Sequence, residues 1–186
     1  MLATPFWSNT KTISNRVKSG VQGVIHTASI VSFSADPNAV IPQTVAGVTS
    51  LLNSAYRETS VKSFVYTSSS VAAVAAGEPT KNFCIDSSTW NRAQIKEAWS
   101  IPSAPFPQTH PFAVYGASKA EAELALWKFV TDKKPHFKVN SILPDANFGE
   151  LLSSQGSLST GGWVRIVFEN GVDFVRGLPP GMFLCL

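Results

Sequence analysis

Three short apolar runs, each closed by small polar residues, constrain this chain more than any other feature. The first is Val24-Ile25-His26-Thr27-Ala28-Ser29. The second lies in Val61-Lys62-Ser63-Phe64-Val65-Tyr66-Thr67-Ser68-Ser69-Ser70, where residues 64–66 read as a buried strand with a hydroxyl run at its carboxyl end. The third spans residues 138–143 and is stopped by Pro144. Between the first two, Val40, Thr44, Val48, Leu51, Leu52 and Ala55 recur at helical spacing behind Asp36-Pro37, a suitable N-cap and first-turn pair. An Ala/Glu-rich helical run over residues 117–130 precedes the third strand. Strand, helix, strand, helix, strand predicts an α/β fold with a parallel sheet and helical crossovers. In such sheets ligands bind outside the carboxyl ends of the strands. Ala28, Ser29, Thr67, Ser68, Ser69 and Pro144 fall there.

Tyr115-Gly116-Ala117-Ser118-Lys119 stands at the head of the second helical run. Its tyrosine and lysine are four positions apart, so both side chains share one helix face, one turn apart. A neighbouring cation favours the phenolate and lowers the ordinary phenol pKa of about 10 by roughly 1–3 units. A tyrosine tuned that way serves as general acid or base near neutral pH. The lysine is also free to bond a ribose hydroxyl.

Composition narrows the alternatives. A hydrophobic share of 44% against 15% charged residues suits a buried parallel sheet. The net charge is only +3 and the basic residues are scattered, which argues against a nucleic-acid surface. Cys84 and Cys185 are too few and too far apart for a disulfide scaffold or a cysteine zinc site. His26, His110 and His136 share no metal-ligand spacing, so no metal is expected, and His26 reads as a strand-end packing residue. No apolar run approaches the roughly 18–20 residues of a membrane span. A cytoplasmic location is the default expectation. Residues 76–111 carry Pro79, Pro102, Pro105, Pro107 and Pro111 and read as a long excursion with one short helix near residues 91–98.

Together these motifs resemble the extended short-chain dehydrogenase/reductases, also called the NAD-dependent epimerase/dehydratase family. Within it the chain is most similar to fungal carbonyl and aldehyde reductases. The resemblance is carried by residues 24–29, Thr67-Ser68-Ser69, Asp86 with Trp90-Asn91, Tyr115 with Lys119, and Leu143-Pro144 with Gly149, in the family's order. It implies a Rossmann-like parallel sheet with helices on both faces and NADP or NAD as cofactor. The implied activity is an oxidoreductase acting on an aldehyde or ketone, or on the corresponding alcohol. Tyr115 then corresponds to the catalytic acid/base. Lys119 corresponds to the lysine that tunes it and holds the nicotinamide ribose, and Ser69 to the serine that bonds the substrate oxygen, with Ser70 the alternative one register on. Ala28, Ser29, Thr67, Ser68 and Pro144, with Tyr115 and Lys119, correspond to the cofactor-binding residues. The division implied is a partial nucleotide-binding domain over residues 1–150 and the start of a substrate-binding segment over residues 151–186.

One departure is large. None of the twelve glycines forms Gly-x-Gly-x-x-Gly or the family's Gly-x-x-Gly-x-x-Gly; Gly20 and Gly23 have the first spacing, but His26 stands in the third place. The first strands, the glycine-rich turn and the ribose-reading residue of a complete dinucleotide half are expected to lie outside this sequence, and a truncated chain is the economical reading. Three expectations follow. Cofactor binding by the isolated chain is weak. The strand at residues 24–27 presents an open edge prone to association. A catalytically silent relative, or a binding protein, is an alternative to an active reductase.

Overall fold

The computed structural model describes residues 17, 19–75, 84–101, 103–147, 149, 165, 168 and 169. Its elements are β1 (Gly23–His26), α1 (Pro37–Arg57), β2 (Ser63–Thr67), a 3-10 turn (Ser70–Ala72), α2 (Arg92–Ser100), α3 (His110–Lys133) and β3 (Lys138–Ile142). The chain divides into two compact units. One joins Met1–Ala75 with Ile85–Leu143, and the other joins Ala76–Cys84 with Pro144–Leu186. All the elements named belong to the first. In the second, the Asp145 carboxylate accepts from the Ala146 N–H at 2.9 Å, and Arg165 pairs with Glu169 at 2.7 Å.

The three strands are parallel in the order β1-β2-β3. Register places Val24, Phe64 and Val139 in one row, and His26, Tyr66 and Ser141 in another on the same face. Both helices that pack on the sheet lie against this face. Val48, Leu52 and Ala55 of α1 meet Phe64 and Tyr66 of β2 and Ala122, Leu126 and Phe129 of α3 in one core. Burying side chains such as Phe64 and Leu126 stabilises the fold by roughly 1.5–3 kcal/mol each. Helices were expected on both faces. Among the described residues they cover one, and the other carries Ile25 at 72% and Ile142 at 49% exposure. The period-2 alternation of β2, buried at Phe64 and Tyr66 and half-buried at Ser63, Val65 and Thr67, records this one-sided packing.

Local chemistry sets the helix ends. Asp36 caps α1 by accepting from the Asn38 N–H at 3.0 Å, with Pro37 in the first turn, where a missing N–H costs nothing. The helix carrying Tyr115 begins at His110, not at residue 117, because Pro111 in its first turn is an entry signal and not a break. Tyr115 therefore sits inside the helix. α3 ends where Lys134 turns left-handed, at φ 44°, with its N–H returning to the Val130 carbonyl at 3.0 Å. Asn91 caps α2 by accepting from the Gln94 N–H at 3.1 Å. A second core of Val40, Ile41, Ala98, Val114 and Ala117 joins the three helices.

No helix of the described residues is long and apolar enough to cross a membrane. These residues also hold no group of three or more metal-ligating side chains.

Candidate active site

β2 and α3 assemble the site. The end of β2 delivers Thr67, Ser68 and Ser69 to the carboxyl edge of the sheet, and α3 runs past that edge with Tyr115 and Lys119 on one face. Ser69 is extended, at φ −160° and ψ 153°, and leads into the 3-10 turn. The Ser69 hydroxyl hydrogen-bonds Tyr115. Ser70 lies within the turn, its carbonyl accepting from the Ala73 N–H at 3.0 Å. Ser69 is thus the serine brought to Tyr115.

Lys119 is 3% exposed and its ammonium lies 5.8 Å from the Tyr115 ring and 5.9 Å from the Tyr66 ring. It donates to the Thr67 carbonyl at a long 3.5 Å. Burial pulls its pKa down to about 8, opposed by the Glu123 carboxylate. The phenol behaves differently from the sequence expectation. Burial raises the Tyr115 pKa above 10, and the Ser69 hydrogen bond only partly offsets this. Desolvation disfavours the phenolate more than the Ser69 hydrogen bond favours it. A protonated phenol is the form that donates a proton.

The remaining sequence-nominated residues divide. Ser68 is buried and donates to Glu123 Oε2 at 2.6 Å. Thr67 offers its carbonyl to Lys119. Ala28 is exposed in the segment after β1, and the nearby Ser29 Oγ is buried with no hydrogen-bond partner. Pro144 follows β3 by two residues and belongs to the second unit.

Four neighbours of the site were not nominated as functional from the sequence. Phe33, at the strained φ of 48°, packs 5.4 Å from the Tyr115 ring and 5.6 Å from Phe112. No local sequence signal marks a phenylalanine for that conformation. Tyr66, read only as strand core, has its pKa raised by burial, then by Glu123 and Tyr115. His26 lies 5.5 Å from the Tyr66 ring, its pKa lowered to about 4 by burial and then by Lys119. Glu123 is buried one turn after Lys119, and the four-residue spacing would have flagged it.

The parallel sheet, with Ser69, Tyr115 and Lys119 at its carboxyl edge, agrees with the resemblance to the extended short-chain dehydrogenase/reductases. Residues 10–144 match an NAD-binding family model described as male sterility protein, and the chain belongs to that family. It is 37% identical over 170 residues to aldehyde reductase 2 of Sporidiobolus salmonicolor, covering 91% of this chain and 49% of that protein. It is 38% identical over 159 residues to the NAD-dependent epimerase/dehydratase terH of Aspergillus terreus, covering 84% and 46%. The yeast methylglyoxal/isovaleraldehyde reductase Gre2 complexed with NADPH superposes with a TM-score of 0.59 at 26% identity, covering 77% of this chain and 41% of that one. The chain spans about half the length of the curated relatives it matches.

Proposed function

We propose that this chain carries the carbonyl end of an NAD(P)-dependent oxidoreductase that reduces an aldehyde or ketone, or oxidises the corresponding alcohol. The observation that carries the reading is the Ser69–Tyr115 hydrogen bond with the Lys119 ammonium 5.8 Å from the same ring. The names of the relatives, an aldehyde reductase and a methylglyoxal/isovaleraldehyde reductase, support the substrate class. Residues 1–150 serve as the nucleotide-binding part and residues 151–186 open the substrate-binding segment. A cytoplasmic setting goes with this reading.

The residues present fit the nicotinamide end of the cofactor. Lys119 is a buried cation at the sheet edge, and Ser29 Oγ is a buried hydroxyl with an open hydrogen-bonding capacity. The glycine-rich turn that holds a pyrophosphate is not among the residues of this sequence. A bound nicotinamide supplies the hydride. The chain's own residues do the rest. A substrate oxygen between Ser69 and Tyr115 accepts from both hydroxyls, which stabilise the negative charge that develops on it. Tyr115, held protonated by burial, gives its proton to that oxygen. Lys119 lies close enough to stabilise the tyrosinate that remains.

Carbonyl-dependent oxidation of NADPH or NADH tests the proposal, with Tyr115→Phe beside the wild type. Loss of the proton donor is expected to lower turnover by about 10²–10⁴-fold. Undiminished turnover in Tyr115→Phe would overturn the assignment. A second reading is a chain that binds without catalysing. A folded wild type with no turnover on either cofactor supports that reading instead.

A further inference from the structure

Behind the site lies a buried carboxylate that the reaction above does not use. Glu123 is 4% exposed. Its Oε2 accepts from the Ser68 hydroxyl at 2.6 Å and its Oε1 from the Trp127 indole N–H at 3.3 Å. Ser68 is itself buried, and its backbone N–H donates to the Ile142 carbonyl of β3 at 2.8 Å. The chain leaving β2 is therefore tied to β3 through its backbone and to α3 through a charge-assisted bond of the short, strong kind. The next residue is Ser69.

The same carboxylate answers an electrostatic need. An ionised group withdrawn from water is costly unless a counter-charge and hydrogen bonds accompany it. Among the described residues, four other titratable groups face this cluster. His26 reaches it from β1, Tyr66 from β2, and Tyr115 and Lys119 from α3. His26 is held neutral, with a pKa near 4, and burial keeps both tyrosines protonated. Lys119 is left as its cation, buried one helical turn from Glu123. Burial works to strip the proton from Lys119, and the Glu123 charge is what opposes it.

We propose that Glu123 is a positioning residue of the carbonyl site: it anchors the strand end that presents Ser69 to Tyr115 and supplies the counter-charge for Lys119. The proposal rests on the reading of Ser69, Tyr115 and Lys119 as that site. Its test does not depend on turnover, so the two can fail separately.

The full chain labelled at lysine Cε and tyrosine Cζ with ¹³C is titrated by NMR. Glu123→Gln keeps the shape and hydrogen-bonding capacity but removes the charge. It is expected to lower the Lys119 midpoint by about one pH unit or more, a tenfold change in acidity, with the protein still folded. A packing role alone would leave that midpoint in place, and an unchanged midpoint overturns the proposal. If Glu123→Gln does not fold, Ser68→Ala decides. Losing the anchor is expected to shift the Tyr115 Cζ resonance at neutral pH as the Ser69 hydrogen bond loosens, and an unmoved resonance overturns the proposal.

Discussion

Gly116 lies beside Tyr115 on α3, and a Cβ built there would overlap Gln94 Oε1 and lie 2.7 Å from Gln94 Cδ. Gln94 is not a loose side chain. Its Oε1 accepts from Asn91 Nδ2 at 2.8 Å, and the same amide donates to the Val71 carbonyl at 2.8 Å. Gly116→Ala therefore meets a side chain held by the cap of α2. Taken alone, alanine in a helix interior gains about 1 kcal/mol over glycine. Displacing Gln94 costs about 1–3 kcal/mol of overpacking. The net expectation is a loss of about 1 kcal/mol. Gln94→Ala removes one side-chain hydrogen bond and costs about 0.5–1.5 kcal/mol. In the double variant the overlap is gone and the helix gain is realised, so it should match the wild type closely. The two substitutions are then coupled by about 2 kcal/mol, within the range for residues in contact. Urea unfolding followed by circular dichroism on all four proteins measures this. Gly116→Ala stabilising by the full propensity value, additively with Gln94→Ala, would refute the argument and mean that Gln94 swings aside freely.

Acid titration of stability reads the His26 burial. Its folded pKa near 4 lies below the unfolded value of 6.5, so between the two the unfolded chain binds the extra proton. Stability present above pH 6.5 is expected to decline as pH falls towards 4, by on the order of 2–3 kcal/mol, and His26→Gln should flatten that slope; an unchanged slope in the variant would show that His26 is not its source. Leu126→Ala empties a fully buried position of α3 against β2, and thermal or denaturant unfolding should register a loss of about 2–5 kcal/mol, with a loss under about 1 kcal/mol contradicting the packing described.

The order of strands and helices, the parallel sheet and the Tyr115–Lys119 pairing were legible in the sequence because each rests on short-range periodicity. Asp36-Pro37 announced α1 by the local chemistry of capping, and the hydroxyl run after β2 marked the carboxyl edge. Pro111 obscured the start of α3, since a proline is read as a break unless its place in the first turn is known. Other features arose only when distant elements met. Ser68 and Glu123 are 55 positions apart in the chain and 2.6 Å apart in space. Whether the Tyr115 phenol is pulled down by its lysine or pushed up by burial is decided by how deeply α3 packs against β2, and burial prevails. Periodicity is a property of neighbours along the chain, and residues alone determine it. Desolvation, and the hydrogen bonds that compensate for it, depend on which surfaces the fold brings together, and only the tertiary structure decides those.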